Sequence, residues 1–450
     1  MEKRISVVGG GLAGTECAYQ LAELGWTVDL YEMRDGQTTT PAHITDNLGE
    51  LVCSNSFGSE NPISGTGQLK WEAQQMNSLI LSSAHKARVD AGQALAVDRL
   101  LFSSALHTAV ENHPSIRLVR KKILSLKDVP RPTVIATGPL TDEALAVELQ
   151  DLCGREFLYF FDAISPIVSA DSIDSSIAWS QDRYDKGTPD YLNCPLEKAE
   201  YNQLIDEITR ARKVTPHHFE TTPFFEGCMP IEEMIERGPQ TLRFGPMKPV
   251  GLTDPRTGRR PWAVVQLRKE NSEGTSYNLV GFQTRMAYGE QVRILRMIPG
   301  LQNAEFLKLG SIHRNLYVNT PMCLSEDLSS KKDPMLFLAG QITGVEGYFE
   351  SSCIGLLVAH FLDQKLSGLP FSGPPRTTAM GSLMSAITDP VRSRNFQPTN
   401  INFGLFPPLD LQPSEKDERK KSIIKRAQRD FSRWLWGSQI DSATSAELSL

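Results

Sequence analysis

The apolar positions near the start of the chain change period twice. Ile5-Ser6-Val7-Val8 is a compact run that predicts a short buried strand. Cys17, Ala18, Leu21, Ala22 and Leu24 then recur at helical spacing, and Trp26-Thr27-Val28-Asp29-Leu30-Tyr31 returns to a strand-like pattern. Between strand and helix stand Gly9, Gly10, Gly11, Leu12, Ala13 and Gly14; Glu32 follows the second strand. Strand, glycine turn, helix, strand, acid is the dinucleotide-binding unit in its structural context. Gly9 permits the tight turn, Gly11 lets the backbone approach a pyrophosphate, and Gly14 lets helix and strand pack closely. The helix start offers N–H groups and a partial positive charge to phosphates. Glu32, 18 residues past Gly14, is placed to accept hydrogen bonds from a ribose diol.

The pattern continues with a helix over residues 69–87, then Ala94-Leu95-Ala96-Val97-Asp98-Arg99 followed by a helix to about His113. Strands are predicted at 116–119 and 123–126. Thr133-Val134-Ile135-Ala136-Thr137-Gly138 is a buried strand ending in a glycine turn, the form in which two-dinucleotide flavoproteins return to the nucleotide. Leu336-Phe337-Leu338-Ala339-Gly340-Gln341 repeats it ahead of Gly344-Val345-Glu346-Gly347-Tyr348 and a helix from Ser351 to about Leu362. These segments predict one discontinuous domain, residues 1–183 and 312–409. The middle, 184–311, is richer in Pro, Tyr and charge and carries strand runs at 262–267 and 277–282. The expected fold class is α/β: a Rossmann-type FAD-binding domain with an inserted smaller α/β domain whose sheet is mixed or antiparallel. Residues 410–450 form a basic helical tail, with eight Lys/Arg against three acids between Lys416 and Trp434. There Lys421, Lys425, Arg429 and Arg433 share one helical face; Ile424, Ala427, Phe431 and Leu435 line another.

Bulk composition narrows the class. With 450 residues, 40% hydrophobic and 22% charged, the chain is an ordinary globular protein of two or three domains. No apolar run reaches the roughly 18–20 residues of a membrane span, and the first apolar run is too short for a signal peptide. The seven cysteines lie at least 30 residues apart, so neither a CxxC nor a zinc spacing occurs, no structural metal is expected, and reduced thiols in a cytoplasm are. A net charge of −6 leaves room only for local basic patches; Arg117, Arg120, Lys121, Lys122, Arg256, Arg259 and Arg260 are weaker candidates than the tail.

Several longer stretches carry a resemblance: Leu30-Tyr31-Glu32-Met33-Arg34, residues 51–56, Gly92 to Arg99 (GQALAVDR), 135–140, the 183–187 and 190–195 stretches, 225–233, 244–252, His313-Arg314-Asn315, 340–348 and 402–405. Together, over roughly residues 1–409, they resemble the bacterial folate- and flavin-dependent tRNA uracil-5-methyltransferases, short relatives of the glucose-inhibited-division A proteins. The chain departs from that pattern at Phe57-Gly58, where Leu-Arg is usual, and at Thr399, where Met is usual.

The resemblance implies bound FAD, with 5,10-methylenetetrahydrofolate and NAD(P)H as co-substrates and the T-arm of tRNA as partner. It implies formation of 5-methyluridine at the T-loop position. Carbon 5 of uracil becomes nucleophilic when a thiolate adds to carbon 6, and a methylene donor needs a hydride to finish, which a reduced flavin can supply. The resemblance makes Cys53 and Cys228 the functional thiols: Cys228 is favoured as the nucleophile and Cys53 as the flavin-side residue, with the two roles open to exchange. From the residues alone, both lie in loops beside small polar residues, where a thiol can reach a ligand. Cys17, Cys153, Cys323 and Cys353 read as packing, and Cys194 is ambiguous. Arg99 suits a carboxylate or phosphate, Glu346 the flavin ribityl, Tyr348 a stack on flavin or uracil, and His43 or His313 a contact to flavin or folate. Four rivals stay open: the same chemistry on a ribosomal RNA uridine, modification of a wobble uridine, an FAD/NAD(P)H oxidoreductase with no RNA substrate, and a non-enzymatic FAD-binding scaffold. Oligomeric state stays open as well.

Overall fold

The computed structural model describes residues 4–36, 40, 42–153, 158–163, 165–185, 189–214, 229–310, 312–411 and 413–447. It opens with the expected unit: β1 (Arg4–Val8), α1 (Leu12–Glu23) and β2 (Thr27–Glu32), with Val8 of β1 opposite Tyr31 of β2. Around it a five-stranded sheet forms in the order Leu336–Leu338, Thr133–Ile135, β1, β2, Ile116–Arg120, every pairing parallel. Parallel strands are covered on both faces, which is why these runs are continuous rather than alternating: Ile5, Val7, Val28, Leu30, Val134, Ile135 and Phe337 are all fully buried. Because the strands run one way, their carboxyl ends share an edge, where open α/β sheets bind ligands.

The helix Tyr348–Leu366 crosses α1 at backbone contact. A Cβ on Gly355 would fall 2.2 Å from the Ala13 carbonyl oxygen, so no larger residue fits there without displacing α1.

The second core belongs to a six-stranded antiparallel sheet ordered Trp179–Ser180, Tyr191–Leu196, Ala263–Lys269, Ser276–Leu279, Ile167–Ser169, Phe306–Lys308. Two of these strands precede residue 184, so the excursion from the nucleotide-binding sheet starts near Ile167, earlier than the expected boundary. The short strands at 167–169 and 179–180 carry too few apolar residues to stand out by pattern. The chain leaves and returns through a ribbon, Leu158–Ala163 paired antiparallel with Ile312–Tyr317. Along Ala263–Lys269 the pleat divides the roles: Val265 and Leu267 enter the second core, while Gln266 and Arg268 are buried on the opposite face.

Two local expectations were overturned. Residues 123–126 form no strand; Ile123 and Leu126 are buried, but Leu126 begins a 3-10 turn (Leu126–Asp128) and its N–H is taken by Glu148 rather than by a ladder. Helix 69–87 is two helices, Gly65–Gln75 and Leu79–Lys86, broken where Asn77 adopts φ 56° and Ser78 caps the second by accepting from Leu81 N–H.

The tail forms the helix Lys416–Glu447. Ile424, Ala427 and Phe431 are buried, with Phe431 edge-on to Trp71 at 6.2 Å, while Lys421, Lys425, Arg429 and Arg433 are exposed. It thus packs by its apolar face and leaves the basic face solvated. Among the described residues, no helix is long and apolar enough to cross a membrane.

Candidate functional site: a dinucleotide cleft with a thiol at one wall

The cleft opens at the carboxyl edge of the parallel sheet. Its walls include Gly9, Gly10, Gly11, Leu12, Ala13, Glu32, Cys53, Thr137, Gly138, Gln341, Glu346, Gly347 and Tyr348. Three expected residues stand behind the wall instead. A Cβ on Gly14 would lie 1.9 Å from the Gly9 carbonyl oxygen, and one on Gly340 would lie 2.5 Å from Ala13 Cβ; both glycines are packing contacts. Arg99 is the third. Asp98 caps its helix, accepting from Leu100 and Leu101 N–H at 3.0 Å, and this turns Arg99 toward Glu270 (2.7 Å) and the Leu51 carbonyl (3.0 Å).

At the phosphate end Gly9 holds φ 108°, and a Cβ there would sit 2.5 Å from the Ala136 carbonyl oxygen. No side chain caps the first turn of α1, leaving its amides to a ligand, and a Cβ on Gly11 would meet no atom within 4 Å. Glu32 is held on both oxygens. Oε2 accepts from Gly10 N–H at 2.8 Å; Oε1 accepts from Arg34 N–H at 3.0 Å and Arg34 Nε–H at 2.8 Å. Burial works against its ionisation, but Arg34 and these hydrogen bonds prevail and hold its carboxyl below the ordinary range. It remains charged, with lone pairs left for a ribose diol. Arg34 is itself 2% exposed and also reaches Glu50 at 3.5 Å. Sequence reasoning assigned no role to Arg34 or Glu50, although an arginine two residues past the fingerprint acid was a readable signal.

The far end has a different character. Among the described residues, both amide atoms of Gln341 are buried without a hydrogen-bond partner. A buried amide left unsatisfied costs about 1–3 kcal/mol, so a group with both donor and acceptor atoms fits there. The open space at Gly11 and the orphaned amide of Gln341 together suit a dinucleotide that ends in a polar heterocycle.

Cys53 and Tyr348 meet beside this end. Tyr348 Oη lies 2.7 Å from Cys53 Sγ, 2.7 Å from Cys53 N and 3.2 Å from Ser54 N. A phenol oxygen has two lone pairs and one proton. The two backbone N–H groups donate into the lone pairs, which leaves the hydroxyl proton for sulfur. Tyr348 is therefore the donor and Cys53 the acceptor, a geometry suited to a thiolate. Burial, then the neighbouring Cys53, push the phenol well above its ordinary pKa, so it keeps that proton. The tyrosine expected to stack on a ring thus holds the thiol loop by its hydroxyl. The Cys228 of the sequence reading lies outside the described residues, as do the side chains of His313, Arg314 and Cys153. Cys17, Cys194, Cys323 and Cys353 are buried, and burial alone pushes the Cys194 thiol up to about 12. They are packing groups, which resolves Cys194.

His43 also lines the cleft, with Nδ1 2.6 Å from Thr40 Oγ1. Burial, then the Arg34 guanidinium, lower its imidazole from 6.5 to about 4. Because the folded-state pKa is depressed, the stability linked to the neutral ring is present above pH 6.5 and is lost as pH falls toward about 4. His43→Gln should flatten the stability curve in that window. Denaturant melts at stepped pH values check this, and an unchanged slope would show that His43 is not the group responsible. Of the weaker basic candidates, Lys121 and Lys122 line the cleft, Arg117 binds Asp29 at 2.6 Å and Arg256 binds Asp254 at 2.6 Å.

The chain is similar to known proteins over most of its length. The family model for glucose inhibited division protein A matches residues 4–370. A methylenetetrahydrofolate--tRNA-(uracil-5-)-methyltransferase TrmFO of Bdellovibrio bacteriovorus is 64% identical over 432 residues, 96% of this chain and 98% of the relative. The protein of the same name from Myxococcus xanthus is 50% identical over 450 residues, 99% of this chain and 98% of its own. Among solved structures, GidA of Aquifex aeolicus superposes with a TM-score of 0.66 at 14% identity, covering 96% of this chain and 73% of that one, a likeness of fold.

Proposed function

This chain belongs to the glucose inhibited division protein A family, in its methylenetetrahydrofolate--tRNA-(uracil-5-)-methyltransferase branch, and from that premise we propose how its cleft works. The reaction transfers a one-carbon unit from methylenetetrahydrofolate to carbon 5 of a uridine in tRNA, with FAD as cofactor. The observation that carries the reading is a thiol hydrogen-bonded by a phenol inside a dinucleotide cleft.

The residues divide the work by position. The first turn of α1 and Gly11 would hold the pyrophosphate, Glu32 the ribose, and Gln341 with the 346–348 turn the ring end. When bound and reduced, FAD supplies the hydride that converts a transferred methylene to a methyl group. Cys228 adds to carbon 6 of uracil, which makes carbon 5 nucleophilic. Once the carbon–carbon bond has formed, the proton on carbon 5 must leave before the thiol can be expelled. We assign that proton to Cys53, a reading supported by the thiol's standing as acceptor from Tyr348. NAD(P)H would be the reductant for the bound cofactor. The substrate position is the T-loop uridine, and a tRNA substrate sets the work in the cytoplasm. The target must be turned out of the folded arm to reach a recessed cleft.

Transfer of labelled carbon from methylenetetrahydrofolate to an unmodified tRNA transcript tests this, with NADPH present and S-adenosylmethionine absent. The expected result is label in 5-methyluridine at the T-loop and none in ribosomal RNA. NADPH oxidation indifferent to folate and tRNA, with no label, would overturn the reading in favour of a plain flavin oxidoreductase.

A further inference from the structure

Five consecutive residues around the Cys53 thiol are each held by a side chain from a distant element. The Leu51 carbonyl accepts from Arg99 at 3.0 Å, and Cys53 N–H donates to Tyr348 Oη at 2.7 Å. The remaining contacts come from the inserted antiparallel sheet. Lys308 Nζ donates to the Val52 carbonyl at 3.1 Å; Arg268 donates to Ser54 Oγ at 3.0 Å and to Asn55 Oδ1 at 3.1 Å. Asn55 Nδ2 completes the seam by donating to the Lys269 carbonyl at 2.9 Å. The pleat explains how this arises. Val265 and Leu267 turn into the core of the inserted sheet, so Arg268 must face the other way, toward the nucleotide-binding part.

We propose that Lys308 and Arg268 are positioning residues through which the inserted sheet sets the reactivity of Cys53, Lys308 by its charge and Arg268 by the shape of the loop. The proposal rests on the reading that Cys53 acts in the reaction. Among the described residues, Tyr348, Arg99 and Lys308 act on the thiol, with Glu50, Glu270 and His43 ranged around them and Arg268 bound to the next two residues. Lys308 and Arg99 each interact favourably with Cys53, and Arg99 is already committed to Glu270. Lys308 is the cation that the inserted sheet brings to the loop, bonded to the residue before the thiol. Burial, then repulsion from Arg99, lower the Lys308 pKa, and Cys53 and Glu50 act against that lowering. A thiolate at Cys53 and an ammonium at Lys308 therefore favour each other. Arg268 carries its effect through geometry: its fork fixes Ser54 and Asn55, hence the direction in which Cys53 presents its sulfur.

The test uses the FAD-loaded full chain and follows alkylation of Cys53 by iodoacetamide, read as the modified peptide by mass spectrometry from about pH 6 to about pH 10. Lys308→Gln keeps a donor for the Val52 carbonyl but removes the charge. It should move the midpoint of alkylation upward and slow the reaction at neutral pH by about three- to tenfold. Lys308→Arg should restore the wild-type midpoint. Arg268→Met should leave that midpoint near wild type and lower kcat for methylation by about tenfold with little change in KM for tRNA. An unchanged midpoint in Lys308→Gln with FAD fully bound would overturn the charge role. A wild-type kcat in Arg268→Met would overturn the geometric one. If Lys308→Gln does not accumulate as a flavoprotein, acetyllysine incorporated at position 308 removes the charge while keeping an N–H donor at similar reach. Alkylation needs neither folate nor RNA, so its failure leaves the methylation reading intact, and failure of label transfer in the wild type leaves the alkylation result standing.

Discussion

Cys53→Ala should lower 5-methyluridine formation by on the order of a thousandfold or more while the protein keeps its FAD. The asymmetry follows from which atoms do what. The backbone N–H of Cys53 still donates to Tyr348 Oη, and the neighbours at Val52, Ser54 and Asn55 keep their bonds to Lys308 and Arg268, so the loop stays in place. Only the sulfur is lost, and with it the acceptor of the phenol proton. Cys228→Ala should be as severe but at an earlier stage, because no carbon–sulfur bond to uracil would form. Mass spectrometry of enzyme mixed with 5-fluorouridine tRNA separates the two. The fluorine blocks loss of a proton from carbon 5, so an adduct should accumulate in Cys53→Ala and be missing in Cys228→Ala. The reverse pattern would exchange the two roles, and full methylation by either variant would remove that cysteine from the mechanism.

Gly14→Ala should cost the protein its cofactor. The added carbon would lie 1.9 Å from the Gly9 carbonyl oxygen, far inside contact distance. That oxygen cannot retreat cheaply. Gly9 N–H donates to the Tyr31 carbonyl at 2.8 Å, and Gly9 already sits at φ 108° against the Ala136 carbonyl. So α1 must move outward, carrying its first-turn amides with it and pulling Gly10 N–H away from Glu32. Overpacking of this kind costs about 1–3 kcal/mol, and here the displaced groups are those that would hold the dinucleotide. Flavin absorbance per chain after gel filtration should fall several-fold, together with the melting temperature. Gly11→Ala is the control: its Cβ meets nothing within 4 Å, so the fold should survive while the approach of the pyrophosphate is obstructed. A Gly14→Ala protein with a full complement of FAD would show that close strand–helix packing is not what holds the cofactor.

What was legible in the sequence was local. The β1–α1–β2 unit, the strands at Thr133–Ile135 and Leu336–Leu338, and the apolar face of the C-terminal helix announce themselves within a dozen residues, because period and glycine placement are short-range signals. What was not legible depends on partners far along the chain. Arg99 carries the right charge for a phosphate, yet Glu270 claims it from the inserted sheet. Tyr348 is readable as a ring for stacking, but the bond from its hydroxyl to residues nearly three hundred positions earlier is not. Residues 123–126 have strand composition, but the carboxylate of Glu148 takes the amide a ladder would need. Lys308 and Arg268 belong to no motif; the contacts that give them a role arise only when the two sheets meet.

The order of the parallel sheet also bears on how the chain is made. The helix that covers α1, Tyr348–Leu366, lies more than three hundred residues downstream of it, and Leu336–Leu338 is nearly as late. At translation rates of roughly 5–20 residues per second, the face of α1 bearing Ala13 waits on the order of tens of seconds for its cover. The antiparallel sheet lies entirely between Ile167 and Lys308, so it can finish before the first sheet does. A nascent chain with residue 311 just clear of the ribosome exit tunnel would carry a finished inner module inside an unfinished outer one. The ribosome, or a chaperone beside it, would have the exposed edge of Thr133–Ile135 to guard.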